Sequence, residues 1–516
     1  MISNTAYNWV KNIKGSPYRV NAIGALALIL YTLSKCWLVY GVELGKDEAV
    51  YWYWSQHLDA SYALLPFSLI ALADALAPGS ELFLRMPSIL LGTLAVYWLY
   101  QLCRDFGLAA ERARWATAAF ALSHWGWHTS SYLHPDVFLA TCWLLALRTG
   151  LRACTTHETR DLAYAGAACG LAVLCKYSGA FLGIGLALCV LYTSPTDRRI
   201  SALGIFSAAA LLVASPLVYA QLQTEFYLPQ TLSTLSRIEA LTNLFTRFIF
   251  FAINPLLFIS PVLLYLLYRA LLYALGQLRH APSNAALIAL IPALCTIGAF
   301  LFFALFRGQI KGNWILIGFL GLWPLAFALP ARSALYAALI LSGLPQTVLI
   351  GLGLKHPAAM RTWIEQSTLD GSYTSLVSSP DRTREPSYSW GERLCEYSGW
   401  SAFSRDVDDL LAERDIDALT PLASTQYSIP FSMAYYGRHP RAYYTIDDPR
   451  FRDLTDIQRA PEQSAALLFA ARRATPLPPF VRERSHGPIG TIERGAPGCV
   501  AVPYDIYLLE ERSRSD

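Results

Sequence analysis

Charge is scarce in this chain. Asp, Glu, Lys and Arg supply 15% of its 516 residues, where soluble globular domains carry about 25%. That shortage excludes an ordinary water-soluble fold. Nucleotide and hydrolase signatures are missing too: no P-loop, GxGxxG, GxSxG or HExxH occurs in a supporting context. ATP-driven work and nicotinamide chemistry are therefore not expected. The cysteines show no metal-ligand spacing such as CxxC, and a formal net charge of +4 is too small and dispersed for a nucleic-acid surface. Internal repeats and low-complexity tracts are lacking.

Apolar length is what the chain has in quantity. Hydrophobic residues make up 54% of it, and the mean hydropathy is +0.34. Many windows hold almost no charge over about 17–25 residues, the length that carries a helix across a bilayer. The expected fold is an all-α polytopic membrane domain of about eleven transmembrane helices. They fall near 22–40, 86–103, 114–130, 136–152, 162–175, 178–193, 201–219, 248–268, 284–306, 313–329 and 333–354. Lys11, Lys14 and Arg19 precede the first span without a small-residue cleavage site, as in an uncleaved signal-anchor. With the N-terminus in the cytoplasm, inner ends and loops hold roughly twice as many Lys and Arg as outer ones, as the positive-inside rule requires.

Beyond about residue 355 Pro, Arg, Asp and Ser become frequent and no membrane-length run is left. The chain thus divides into a transmembrane domain, 1–354, whose first outer loop is 41–85, and a small soluble α/β domain, 355–516, outside the membrane. Strands are expected at 418–423, 441–446 and 500–509, and helices at 401–413 and 461–473. Eight of the ten cysteines lie in apolar segments and read as small buried hydrophobes. Cys395 and Cys499 can pair only if their domain faces an oxidising compartment.

In that topology the polar residues able to do chemistry gather on the outer face. Asp47 and Glu48 open the aromatic run Tyr51-Trp52-Tyr53-Trp54 just after the first span. Carboxylates beside hydrocarbon are costly to hold, which marks them as functional candidates. Residues 47–59 suit a helix lying in the membrane interface, with Asp47 as a general base for an acceptor hydroxyl. Glu48 would orient the acceptor or help bind a divalent cation, although no ligand spacing supports a metal. Lys176, Arg307 and Lys311 are either snorkelling end anchors or partners of a phosphate or diphosphate leaving group, with Arg85 a weaker fourth. Asp136 either caps the helix it begins or binds sugar hydroxyls. His57, Tyr62, Tyr177, Asn313 and Trp314 complete the sugar- and acceptor-binding candidates.

At these residues the chain resembles the polytopic, lipid-phosphosugar-dependent glycosyltransferases of GT-C fold. It is most similar to bacterial relatives of the dolichyl-phosphate-mannose protein mannosyltransferases and of the lipid A aminoarabinose transferase. The resemblance is carried by Asp47 to Leu58, Arg85-Met86-Pro87-Ser88, Pro135-Asp136, Gly170-Leu171, Lys176-Tyr177-Ser178-Gly179 and Asn313-Trp314. Ser428 to Tyr436 and Tyr443-Tyr444 extend it into the C-terminal domain. It implies a polyprenyl-phosphate sugar donor, transfer on the extracytoplasmic side, Asp47 as catalytic base, and Lys176 with the cations near Asn313 on the donor phosphate. Many relatives continue with Tyr-Tyr-Asp-His-Pro-Pro where this chain has Ser61-Tyr62-Ala63-Leu64-Leu65-Pro66, so a second acid and a His are missing. Tyr219-Ala220-Gln221 likewise stands where relatives often show Trp-Asn.

The expectation is an inner-membrane, inverting glycosyltransferase with a periplasmic active site. It takes a sugar from a polyprenyl phosphate to a glycolipid such as lipid A, a polysaccharide or a protein. Two alternatives stand beside it: a catalytically inactive relative that binds the carrier lipid, motivated by the altered 61–66 stretch, and a transporter or flippase of lipid-linked sugars. Alternating access would need polar features on both faces, which the sequence does not provide.

Overall fold

A computed structural model describes residues 22–58, 63–223, 244–278, 282–307, 312–330, 333–360, 395–446, 466–473, 475–496, 499 and 501–510. Helices dominate up to residue 355: α1 Ala22–Val39, α2 Lys46–Ser55, α3 Leu64–Leu76, α4 Glu81–Asp105, α5 Ala110–Ala121, α6 His124–His128, α7 Pro135–Thr156, α8 Thr159–Cys175, α9 Gly179–Thr193, α10 Arg199–Gln223, α11 Leu244–Ile253, α12 Pro261–Gln277, α13 Asn284–Arg307, α14 Gly312–Leu316, α15 Trp323–Ala328 and α16 Ser333–Lys355. Among the described residues five helices (α1, α4, α7, α10 and α13) are long and apolar enough to cross a membrane. A sixth is added if the bent pair around residue 258 counts as one span.

Several expected spans are broken or short. The 114–130 segment is split between α5 and α6, where Ser123 accepts a hydrogen bond from the Gly126 N–H and starts a new helix. Residues 313–329 form α14, a 3-10 turn at Ile317–Gly321, and α15. The expected spans at 162–175 and 178–193 become helices of 17 and 15 residues. One further helix, α3, fills part of the first loop.

The core of the bundle is α7, buried on nearly every side against α4, α8, α9 and α13. Pro135 opens it at a position where its missing N–H costs nothing, and the His134 ring accepts the Asp136 N–H as an N-cap. Its far end closes at His157 in the left-handed conformation (φ 55°). Next to it α8 crosses α10 closely. A Cβ at Gly166 would lie 2.1 Å from the Phe206 carbonyl oxygen, and one at Gly170 2.6 Å from that of Ala210. Spacing small residues four apart lets two membrane helices touch backbones. Lys35, although inside α1, is fully buried and bonded: its Nζ donates to the Ile89 carbonyl (3.1 Å) and Ser130 Oγ (3.2 Å) and lies over the Tyr31 ring.

The C-terminal part is a five-stranded mixed sheet of order β2-β1-β3-β5-β4, built from β1 Leu422–Ser424, β2 Tyr443–Thr445, β3 Leu467–Arg472, β4 Pro488–Arg494 and β5 Val502–Leu509. β1 runs parallel to β2 and β3, while β5 is antiparallel to β3 and β4. Helix α17 Trp400–Glu413 packs Trp400, Phe403, Val407 and Leu411 on one face, a stripe at helical spacing. Helices α18 Ser428–Tyr436 and α19 Pro479–Arg484 follow. The helix expected over 461–473 is replaced, within the described residues, by the central strand β3. Leu467 to Ala471 are buried on both faces. A short apolar run of that kind carries no alternation to tell strand from helix. Cys395 and Cys499 are disulfide-bonded, and the other eight cysteines are free thiols, five of them buried.

Candidate active site

Helix α2 is pinned by its second acid. Glu48 is 3% exposed and Arg85, on α4, is 0%. Arg85 Nε donates to Glu48 Oε1 (2.9 Å) and one terminal nitrogen to Oε2 (2.7 Å), the two-pronged geometry that guanidinium and carboxylate favour. The remaining donors of Arg85 reach the carbonyls of Val39 (3.3 Å), Val42 (2.6 Å) and Glu43 (2.8 Å). A guanidinium has five N–H groups, and all five are used. Glu48 is filled as completely: Oε1 also accepts the Leu133 N–H (2.8 Å) and Oε2 the Gly45 N–H (3.0 Å).

This corrects two sequence expectations. Arg85 has no N–H left for a donor phosphate, and Glu48 has no lone pair left for an acceptor or a metal ion. Together they clasp the end of α1, the start of α2, α4 and the loop before α7. Among the described residues no group of three or more His, Cys, Asp or Glu side chains is arranged to hold a metal ion.

Asp47 stands one position earlier and is exposed. Its Oδ1 accepts the Tyr427 hydroxyl at 2.8 Å, from a residue 380 positions further along the chain. Tyr427 immediately precedes α18, which lies against α2. Phe431 meets the Tyr53 ring edge-on at 5.0 Å, and Tyr435 meets Trp52 at 5.1 Å. Tyr436 Oη accepts the Leu44 N–H (2.7 Å) and donates to Glu81 (3.3 Å). Burial, and then the Glu81 charge, hold that phenol far above its ordinary pKa, so it stays protonated. The aromatic run thus packs beneath a helix of the C-terminal part, where the sequence suggested a helix floating in the membrane interface.

A second acid ties the same parts together. Gly399, which precedes α17, has no side chain to cap it. Glu43 supplies the cap from outside: its carboxylate accepts the N–H groups of Trp400 (2.7 Å) and Ser401 (3.2 Å) and the Ser401 hydroxyl. A negative charge at a helix N-terminus is favoured by the aligned peptide dipoles. Nearby, Tyr397 crosses Gly45 so closely that a Cβ there would lie 2.4 Å from the ring.

On the other side of the clasp lies a polar cluster assembled from three distant segments. Asp136, in the first turn of α7, accepts Lys176 Nζ at Oδ1 (2.7 Å) and Asn313 Nδ2 at Oδ2 (2.6 Å). Lys176 caps the end of α8 in extended backbone, and its Nζ lies 5.5 Å from the centre of the Trp314 ring. His134 Nδ1 is 3.6 Å from Asp136, and the His134 ring meets Tyr51 of α2 edge-on at 6.2 Å. Glu48 bonds to the backbone one residue before His134, so α2 and this cluster share a rigid connection.

Asp136, Lys176, Asn313 and Trp314 therefore come together, while Asp47 is bonded to Tyr427. Tyr177 is next to Lys176, half-buried. His57 stacks on Tyr53 (4.4 Å), with Nδ1 2.9 Å from the Tyr53 carbonyl, and belongs to the end of the aromatic helix. Tyr62 and Lys311 lie outside the described residues, as does the side chain of Arg307, which ends α13. Sequence reasoning missed Glu43, Tyr427 and Tyr436. Only Tyr436 falls in the family-like stretch from Ser428 to Tyr436, which does not say what it touches.

The profile of the dolichyl-phosphate-mannose-protein mannosyltransferase family matches residues 61–220. ArnT from Cupriavidus metallidurans bound to undecaprenyl phosphate superposes with a TM-score of 0.57 at 15% identity, covering 93% of this chain and 97% of that one. Its apo state gives the same score and identity over 94% and 97%. The archaeal oligosaccharyltransferase AglB from Archaeoglobus fulgidus, in complex with an inhibitory peptide and a dolichol-phosphate, gives 0.43 at 14% identity over 81% and 63%. No curated protein matches the sequence. The chain has the fold of ArnT along nearly its whole length, and residues 61–220 resemble the dolichyl-phosphate-mannose-protein mannosyltransferases.

Proposed function

We propose that this protein is a membrane glycosyltransferase that moves one sugar from a polyprenyl-phosphate donor to an acceptor hydroxyl, with inversion at the anomeric carbon. The observation that carries the reading is a carboxylate exposed at the start of α2, beside a clasp that joins it to the Asp136–Lys176–Asn313 cluster. Asp47 takes the proton of the acceptor hydroxyl as the acceptor oxygen bonds to the anomeric carbon. The bond from that carbon to the phosphate oxygen breaks, and the polyprenyl phosphate leaves with the electron pair.

Lys176 stabilises the departing phosphate. Asp136 holds its ammonium in place from one side and the Trp314 face lies on another. Arg307 and Lys311 join it as further phosphate partners, and Tyr62, Tyr177 and His57 border the sugar or acceptor. The active site faces outside the inner membrane, with residues 355–516 as an extracytoplasmic domain. The Cys395–Cys499 disulfide supports that side, since such bonds persist in oxidising compartments.

The test is an Asp47→Asn variant that inserts and folds normally. Surface glycolipids, glycans and glycoproteins are compared by mass spectrometry in cells with the wild-type chain, the variant and no chain. Loss of one sugar mass in the last two supports the reading; full transfer by the variant removes Asp47 as base. A second reading, an inactive relative that binds carrier lipid, is favoured by the missing acid and His in Ser61 to Pro66. It predicts no sugar mass that depends on the chain, together with retained binding of undecaprenyl phosphate.

A further inference from the structure

We infer that Tyr427 is a positioning residue for the transfer reaction: the C-terminal domain reaches over the first-loop helix and aims the Asp47 carboxylate. The inference rests on the reading of Asp47 as the base. Its ground is the 2.8 Å bond from the Tyr427 hydroxyl to Asp47 Oδ1.

An exposed Asp on the first turn of a helix has two soft side-chain torsions and swings freely unless something holds it. Tyr427 holds one oxygen.

The bond is built rather than casual. Tyr427 is half-buried, and the helix it precedes is fixed on α2 at two places and on Leu44, just before α2, at a third. Phe431 lies against Tyr53, Tyr435 against Trp52, and the Tyr436 hydroxyl accepts the Leu44 N–H. These contacts set the phenol relative to the backbone of α2, which the Glu48–Arg85 clasp holds from below. Two rigid supports therefore converge on one short exposed side chain. A plain docking contact has no need of a charged acceptor there, because the apolar seam already supplies the burial.

The experiment uses the full-length protein in lipid, with the donor and acceptor identified by the sugar-loss comparison. Tyr427→Phe keeps the ring and removes only the hydroxyl. The expected result is a fall in kcat of about tenfold, the scale of a modest misplacement of a catalytic group. Donor KM, affinity for undecaprenyl phosphate and thermal stability should stay within twofold or unchanged. Combined with Asp47→Asn, the same change should cost nothing further, because the group it positions is gone.

A wild-type kcat in Tyr427→Phe overturns the inference. So does a variant whose KM, lipid affinity and melting temperature all move with kcat, which is the behaviour of a structural contact. Asp47→Asn alone separates the two ideas. If that variant is fully active, the base assignment fails and this inference falls with it. If it is inactive while Tyr427→Phe is normal, only the positioning role is lost.

Discussion

Glu48 and Arg85 exhaust each other: five N–H donors of the guanidinium and the lone pairs of the carboxylate are all spoken for inside one buried clasp. The more deeply placed member of the acidic pair is thereby a structural anchor, while its neighbour Asp47 is exposed.

Removing one partner of that clasp strands the other charge in an apolar interior. Glu48→Gln or Arg85→Met should each destabilise the protein by about 3–5 kcal/mol. The double variant Glu48→Leu/Arg85→Met should lose less than the sum, because no charge is left unpaired. Thermal unfolding in detergent checks both statements. Equal losses in singles and double would show that the bonds to the backbone carry the effect.

Lys176 and Asp136 should separate by their effect on lipid binding. Lys176→Met removes the ammonium and is expected to weaken undecaprenyl phosphate binding by at least about tenfold, the scale of one lost charge-assisted hydrogen bond. Asp136→Asn keeps the ammonium but releases it, so a smaller loss is expected there. Titration with radiolabelled undecaprenyl phosphate measures both.

The disulfide closes a loop between residues 104 apart in sequence. On the chain-entropy account, a closure of that length contributes up to about 4.7 kcal/mol. Cys395→Ser/Cys499→Ser should therefore melt well below wild type under non-reducing conditions, and a reductant should lower the melting temperature of the wild type alone. Indifference of the wild type to reductant would oppose this.

Glu43→Gln keeps the shape and removes the charge at the start of α17. The cost in global stability should be about 1 kcal/mol, typical of a lost cap. A larger response is expected locally, as faster amide exchange at Trp400 and Ser401, and hydrogen–deuterium exchange mass spectrometry of peptides from that turn reads it directly.

Much of the architecture was legible from composition. Scarce charge and long apolar runs give a helical bundle because hydrocarbon leaves the backbone no other partners than its own. The number of crossings was not, since Ser123 and the 3-10 turn after Leu316 divide runs that look continuous in sequence. Strand β3 was misread for a related reason: a segment buried on both faces loses the periodicity that distinguishes strands. At the site, Asp136, Lys176 and Asn313 stood out because each is a polar residue at the edge of an apolar stretch. That Glu48 is buried and bonded while Asp47 is exposed was invisible, as it depends on Arg85 and on the Leu133 backbone 85 positions away from Glu48. Tyr427 was harder still, because nothing local to a tyrosine names an acid from the opposite end of the chain.

The seam between α2 and α18 bears on how this protein can be cut. Trp52, Tyr53, Phe431 and Tyr435 cover one another across it. A fragment ending after α16 would bare indole and phenol faces to water and surrender the hydroxyl beside Asp47. The tail is therefore expected to shield α2 from water, and shortening the gene to its membrane half should yield an aggregation-prone protein.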